Sequence, residues 1–303
     1  MITVQSVSKS FNGKPAVDDI SFQAHDQEIL VLLGTSGCGK TTTLKMINRL
    51  VEADAGNISI NGKNIRDQNP EQLRMGIGFV MQHSGLFPHY TIKQNIAVVP
   101  ELLKWDRKKT ENRTHELLDK LHLSEDVLSR FPNELSGGQQ QRVGIARALI
   151  ANTPVLLMDE PFGALDNITK ADIHSEFKSL EELKNKTIIL VTHDVQEAFE
   201  LGHRICLMDK GKIIQTGTPE EMLYHPQNDF VNEFFAENRL LLEYKIAVLK
   251  DLSNSENLYK EFSFTENTSV WNALQKLSSD HRNMEYYESL IRAFNEYRKL
   301  QIV

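Results

Sequence analysis

The sequence predicts an α/β fold in which buried parallel strands end in polar residues at one edge of a sheet. The first observation is a set of three largely apolar runs, at 29–33, 155–158 and 187–192, each with the length of a strand buried on both faces. The second is that glycine or polar residues follow each run at once. Because ligands in open α/β sheets bind beyond the carboxyl ends of the strands, the chemistry is expected at that edge.

The composition fits a folded chain with a sizeable core. The 303 residues are 40% apolar and 25% charged, which suits one large domain or one with a smaller appendage. The net charge of −7 argues against a general nucleic-acid binder, which needs a basic surface. We find no apolar run near the roughly 20 residues that span a bilayer, no signal-peptide pattern and no disulfide framework in the two cysteines. A cytoplasmic protein is therefore expected.

Two alternating segments, 2–6 and 17–23, predict half-buried strands ahead of the first apolar run. Asn12-Gly13 between them is typical of a hairpin turn. Phe11 stands just before that turn. Its ring is either an ordinary hydrophobic group or a flat face that stacks on a base, and this segment alone does not choose between them.

The first apolar run leads into a phosphate-binding loop with a helix-compatible segment behind it. The loop comprises Gly34, Thr35, Ser36, Gly37, Cys38, Gly39, Lys40 and Thr41, and Thr42 follows it. This is the spacing of a P-loop, whose glycines turn backbone N–H groups towards a phosphate chain at a helix N-terminus. Lys40 is expected to reach the β- and γ-phosphates, and the Thr41 hydroxyl to ligate Mg²⁺. The alternative of a chance glycine-rich turn is disfavoured by the strand before it.

A second candidate anion site follows further along the chain, after a short strand that ends in an amide. Residues 76–82 predict a short strand that ends at Gln82, where an amide usually does no more than cap a ladder. Several helices are then predicted through residue 151. Within them, Ser136, Gly137 and Gly138 stand directly before a helix-forming run that starts at Gln139. This turn is either a second helix N-terminus open to an anion or a plain serine N-cap with glycines for the turn.

Ionisable residues follow the other two apolar runs. Asp159 and Glu160 end the second run, where paired carboxylates are costly unless they bind metal or do acid–base work. One of them can serve the Mg²⁺ of the P-loop, and the other can orient or deprotonate an attacking water. His193 ends the third run. A lone histidine at a strand end is more often structural, but its place at the same edge as the P-loop favours a catalytic role.

The last part of the chain has a different character. Residues 218–236 look helical, and the main domain, 1–237, is predicted to close there. The extension 238–303 carries as many acidic as basic side chains and is rich in aromatic residues. Two helices are predicted in it, around 270–277 and 287–297. Because fewer than 70 residues make a weak core, their apolar faces are expected to pack on the main domain or on a second copy of the extension.

Together these motifs resemble the ATP-binding subunit of ABC transporters. The resemblance covers residues 1 to about 237. It rests, in chain order, on the P-loop, Gln82, Leu135-Ser-Gly-Gly-Gln139, Asp159-Glu160, Asp166 and His193. Within that family, three segments are similar to the bacterial importers of quaternary amines (glycine betaine, choline, carnitine and proline betaine). These segments are residues 95–105, 161–169 and 228–231.

The resemblance implies a fold and roles for the site residues. The fold would be a P-loop NTPase core with an antiparallel β subdomain, a helical subdomain over about 83–152 and a short, mainly helical C-terminal extension. Phe11 would stack on adenine, and residues 34–42 would hold the phosphates of ATP. Mg²⁺ would be bound by Thr41, Gln82 and Asp159. Glu160 would polarise the hydrolytic water, and His193 would contact the γ-phosphate.

The resemblance also implies partners. In a head-to-tail homodimer, residues 136–139 of one subunit would close on the ATP held by the other, and Asp166 would lie at the interface. The chain would power an importer from the cytoplasmic face of the membrane, through separate permease subunits and, indirectly, an extracytoplasmic substrate-binding protein. One alternative is an importer of another solute, such as an amino acid or a polyamine. Another is an ABC ATPase that acts in DNA repair or on ribosomes, which the single cassette, compact helical insertion and acidic balance disfavour.

Overall fold

The computed structural model describes residues 1–82, 85–163, 167–252, 262–279 and 283–301. Contacts divide the chain into two compact units, Met1–Thr216 and Gly217–Val303. The sequence predicts a domain boundary at residue 237, whereas the second compact unit begins earlier, at Gly217. A division by contacts does not show where the family's domain ends, so the boundary at 237 stays a prediction. Every helix in the described ranges is too short or too polar to cross a membrane.

An antiparallel sheet of four strands belongs to the first unit. Its strand order is β2 (Lys14–Ala24), β1 (Ile2–Phe11), β4 (Ala55–Ile60) and β5 (Lys63–Asn64). Strands β1 and β2 form the predicted hairpin, with Asn12 and Gly13 at φ of 49° and 76°. Positive φ at both residues is what a two-residue turn between right-twisted strands requires.

A second sheet of six strands carries the candidate site. Its order is β10 (Lys212–Gly217), β9 (Arg204–Asp209), β3 (Ile29–Gly34), β8 (Thr187–Thr192), β7 (Val155–Asp159) and β6 (Ile77–Val80). The three predicted apolar runs are β3, β7 and β8, and they pair in parallel at the middle of this sheet. Their side chains are buried on both faces, so the polar residues that follow them meet at one edge.

Seven helices complete the described part of the first unit. They are α1 (Lys40–Ile47), α2 (Pro70–Met75), α3 (Ile92–Leu102), α4 (Arg107–Lys120), α5 (Gly137–Leu149), α6 (Asn167–Ser179) and α7 (Val195–Leu201). Helices α3, α4 and α5 occupy the region that the sequence predicts to be helical. The predicted α/β class, with an antiparallel and a helical part, is confirmed.

The second unit is helical in its described part. It contains α8 (Pro219–Tyr224), α9 (Asp229–Ala236), α10 (Arg239–Ile246), α11 (Val270–Ser278) and α12 (Met284–Gln301). The last two correspond to the predicted tail helices. Their buried side chains, Leu274, Leu290 and Phe294 among them, pack on one another in a core of the unit's own. The sequence instead led to the expectation of packing on the main domain or on a second copy.

A buried charge cluster also holds this unit together. The Glu243 side chain is fully buried, and its carboxylate lies 3.0 Å from Arg239 Nε and 2.6 Å from Arg298 Nε. A carboxylate taken out of water needs such partners, and two guanidinium groups supply them from α10 and α12. The cluster ties the last helix to the helix that begins at Arg239.

Candidate active site

The loop between β3 and α1 has the backbone of an anion site. Gly37 and Gly39 have φ of 81° and 106°, the left-handed region that favours glycine. A Cβ at Gly39 would lie 2.5 Å from the Ala16 carbonyl oxygen, so the close approach of two backbones requires glycine there as well. Helix α1 starts at Lys40, and no side chain of the described residues caps it. Its first N–H groups therefore remain available to a ligand.

The Lys40 side chain is held inside this loop. It is 5% exposed, and its ammonium donates hydrogen bonds of 2.8 Å to the carbonyl oxygens of Gly34 and Thr35. No carboxylate in the described part of the chain forms an ion pair with it. Its third contact is with the Cys38 sulfur at 3.6 Å. A buried ammonium whose partners are two carbonyl oxygens and a sulfur is incompletely compensated, so an anion at the loop would stabilise it.

Thr41 and Asp159 join the loop to the end of β7. The Thr41 hydroxyl donates a 2.9 Å hydrogen bond to Asp159 Oδ1. Burial raises the pKa of Asp159 above its usual range, the Thr41 bond opposes this, and the charge of Glu160 adds to the rise. The described residues contain no group of three or more His, Cys, Asp or Glu side chains placed to hold a metal. One hydroxyl and one carboxylate suit Mg²⁺ that completes its shell with phosphate oxygens and water.

Glu160 sits at the centre of three strand ends. Its backbone has φ of 45°, and its N–H donates a 2.9 Å bond to the Val191 carbonyl oxygen at the end of β8. Its carboxylate accepts a 3.0 Å bond from Gln82 Nε2 and lies 3.2 Å from His193 Nδ1. Since a left-handed glutamate costs roughly 1–2 kcal/mol, the surrounding bonds must hold it there. The three residues predicted to be catalytic are thus brought together.

The turn before α5 is folded onto itself. The Ser136 hydroxyl accepts a 3.3 Å bond from Gln139 N, and Gln139 Oε1 accepts a 3.0 Å bond from Ser136 N. This is a capping box, and Gly137 and Gly138 form the first turn of the helix behind it. No hydrogen bond or ion pair between described residues links this turn to the P-loop. The role predicted for residues 136–139 stays a prediction.

Two other predicted residues stand apart from this cluster. Phe11 ends β1 and is 46% exposed, so the ring proposed to stack on a base is partly open to solvent. The Lys9 ammonium lies 5.4 Å from the centre of its ring. Asp166, predicted at an interface, lies outside the described residues.

Sequence reasoning missed the residues that support the His193 turn. Asp194 accepts hydrogen bonds from the N–H groups of Gln196 and Glu197 and so caps α7. Lys170 on α6 pairs with the same carboxylate at 3.0 Å. The spacing of Asp194 and Glu197 is typical of a helix start and could have revealed the cap, whereas nothing in the sequence places Lys170 beside it.

A P-loop on a buried central strand, with acidic residues at the end of a neighbouring parallel strand, defines a P-loop α/β protein. The ABC transporter family profile matches residues 17–163. The chain is 51% identical over 242 residues to the glycine betaine/carnitine/choline transport ATP-binding protein OpuCA of Bacillus subtilis (strain 168). The aligned residues make up 80% of this chain and 64% of that protein.

Two further relatives give the same result. The glycine betaine uptake system ATP-binding protein YehX of Escherichia coli (strain K12) is 49% identical over 240 residues, which cover 79% of this chain and 78% of that one. The dimeric, post-hydrolysis structure of the ATP-binding cassette MJ0796 bound to ADP and Pi has a TM-score of 0.66 and 32% identity, over 72% of this chain and 98% of that one. The chain belongs to the ABC transporter family.

Proposed function

We propose that the chain binds Mg²⁺ and ATP at the P-loop and hydrolyses the ATP, with Glu160 as the group that activates water. The position of the Glu160 carboxylate carries the proposal. It is fixed by Gln82 and His193 at the sheet edge where Asp159 bonds Thr41. A carboxylate anchored on two sides, beside a cation site and a phosphate loop, is placed to take the proton of an attacking water.

Each remaining residue has a part in the proposal. The N–H groups of the loop and Lys40 would bind the phosphates, and Thr41, Gln82 and Asp159 would hold Mg²⁺. When bound, the metal ion neutralises charge that develops on the phosphate oxygens. His193, whose side chain is 55% exposed, would reach the γ-phosphate. The exposed ring of Phe11 would stack on adenine.

A second copy of the chain would complete the site. Ser136 and the glycines after it are exposed or half-buried and begin a helix, so they present N–H groups to the surface. In a head-to-tail dimer each subunit would offer this turn to the ATP of the other. The similarity to a dimeric ATP-binding cassette supports this arrangement.

The transported solute is proposed from the relatives. OpuCA is named for glycine betaine, carnitine and choline and YehX for glycine betaine, and both share about half of their aligned residues with this chain. We therefore propose an importer of quaternary amines. The chain would work at the cytoplasmic face of the membrane with separate permease subunits and an extracytoplasmic binding protein.

Replacement of Glu160 by Gln tests the chemistry. In the full chain, the variant should bind ATP with unchanged affinity, lose at least about 100-fold in steady-state hydrolysis and accumulate an ATP-bound dimer on size exclusion. Glu181→Gln, which removes an exposed carboxylate that pairs with Lys184, is the matched control and should hydrolyse normally. Undiminished hydrolysis by the Glu160 variant would remove the residue from the chemistry.

Reconstitution with the permease and a binding protein tests the solute. Glycine betaine, choline or carnitine on the binding protein should raise the ATPase rate of the complex. Because the residues that contact the solute lie in other chains, the solute is the variable and the ATPase subunit stays constant. Stimulation by a polyamine or an amino acid, with none by quaternary amines, would assign the chain to another importer.

A further inference from the structure

The turns that carry Glu160 and His193 share one neighbour, helix α6. The Glu160 turn continues to Phe162, whose buried ring meets the edge of the His174 ring at a centroid distance of 4.8 Å and an angle of 70°. Phe177, one turn further along α6, also contacts Phe162, with ring centroids 5.6 Å apart and an angle of 74°. The helix thus packs directly on the segment that follows Glu160.

The same helix is bonded to the segment that follows His193. Lys170 Nζ lies 3.0 Å from Asp194 Oδ2, while Asp194 Oδ1 accepts bonds from two N–H groups of α7. Burial acts to raise the pKa of Asp194, but the Lys170 bond and those N–H groups outweigh it and hold that pKa below its usual range. Asp194 is therefore a charged group with a fixed place at neutral pH.

His174 makes the second link between α6 and α7. Its Nδ1 lies 2.9 Å from Glu200 Oε2, and its Nε2 lies 3.9 Å from Glu197 Oε2 without a hydrogen-bond partner among the described residues. Burial, aided by the charge of Asp194, raises the pKa of Glu197 to about 8. That carboxyl is thus mostly protonated at neutral pH. Among the described residues the ring has one hydrogen bond, between Nδ1 and Glu200, and it connects the two helices.

We infer that His174 is a positioning residue that sets the placement of Glu160 against His193. It touches no substrate and no reacting atom. It acts through Phe162 on one turn and through Glu200 on the helix behind the other, and Lys170 braces the same helix at Asp194. The inference rests on the proposed function, because both turns are assigned to ATP hydrolysis there. A shift of about 1 Å between reacting groups can cost up to about 100-fold in rate.

Two substitutions at His174 separate position from bulk. His174→Leu fills the space but removes the bond to Glu200, whereas the amide nitrogen of His174→Asn can take the place of Nδ1. In the full chain with Mg²⁺ and ATP, His174→Leu should lower kcat about tenfold and leave KM and ATP affinity within about twofold. His174→Asn should restore most of the loss. His115→Leu is the control, since it removes a similar 2.8 Å contact with Glu125 on the surface.

Each outcome bears on the inference. Equal kcat for wild type and His174→Leu would overturn it, and so would an equal loss in the Asn and Leu variants. A wild-type chain without hydrolysis would overturn the proposed function and the inference with it. If His174→Leu has no cooperative melting transition, the variant is not folded, and Lys170→Met tests the inference instead. It should lower kcat at constant ATP affinity, whereas Lys184→Met, from an exposed pair with Glu181, should not. Equal rates in these two variants would overturn the inference.

Discussion

The two helix N-termini proposed to face phosphates are built in opposite ways. Helix α1 starts after Gly39, whose backbone is left-handed, and no described side chain caps the N–H groups of the helix. Helix α5 starts after Ser136, whose hydroxyl and backbone N–H exchange hydrogen bonds with Gln139. The first end is open and has the buried Lys40 ammonium beside it, whereas the second has already satisfied part of its own polar groups.

This difference suggests that α1 serves the binding of ATP and that α5 serves the closure of a dimer on the bound ATP. An open N-terminus with an adjacent cation can bind a phosphate chain within one copy of the protein. A capped N-terminus must exchange its own bonds for those of a ligand, which fits the proposal that α5 meets ATP already bound to a second copy. We therefore expect substitutions at α1 to change ATP affinity and substitutions at α5 to change dimer formation and turnover.

The largest effect is expected at Lys40. Lys40→Ala removes the ammonium that faces the loop, so the affinity of the full chain for ATP should fall about 100-fold, the size of a lost charged hydrogen bond of roughly 3 kcal/mol. Calorimetric titration measures it. Lys45→Ala, an exposed lysine of the same helix, is the control and should change affinity by less than about twofold. Equal losses would mean that only the net charge of α1 matters.

Ser136 should show the opposite pattern. Ser136→Ala should leave ATP affinity of the single chain unchanged and lower turnover about tenfold, because it removes the hydroxyl proposed to contact the partner's ATP. Ser136→Asp keeps an N-cap but places a carboxylate against phosphate, so its turnover should fall further. Thr91→Ala removes the same kind of capping box from α3 and should hydrolyse normally. Loss of ATP affinity in the Ser136 variants would contradict the division between the two helices.

A substitution at Phe11 tests which part of ATP the first site binds there, the adenine base or the phosphates. Its ring is exposed, so Phe11→Ala should not change the melting temperature noticeably. If adenine stacks on it, affinity for ATP should fall about tenfold, in the range of base–aromatic stacking, while affinity for inorganic tripolyphosphate stays constant. Equal losses for both ligands would place the effect in the loop and leave Phe11 without a role in base binding.

The sequence predicts the P-loop site at the N-terminus of α1 better than the role of the capped N-terminus of α5. Strands β3, β7 and β8 are continuous apolar runs, and the residues just after them had to meet at one edge once the strands were parallel. The left-handed backbone of Glu160 and the folded-in position of Lys40 depend on contacts between distant segments, which no local pattern contains. The same holds for Arg298, which reaches Glu243 from another helix.

The sequence also could not decide whether the Ser136 turn is an anion site or a plain N-cap, and the structure shows why. The residues that suit an anion site, a serine and glycines before a helix, are those of a good N-cap, and here the cap is formed. Residues 136–139 could therefore be recognised as a helix start, while the proposed contact with ATP would need a second chain, which no local pattern contains.

The smallest effect is expected at Gln139, where it separates the two roles of the turn. Gln139 and Gln94 complete matching boxes, with bonds to the N-cap backbone of 3.0 Å and 2.8 Å. Gln139→Ala and Gln94→Ala should each lower the free energy of unfolding by about 0.5 kcal/mol, measured by urea denaturation without nucleotide. If the partner's ATP displaces the Gln139 box, only Gln139→Ala should also change turnover. Equal losses of stability with normal turnover in both variants would leave the α5 N-terminus as a cap and nothing more.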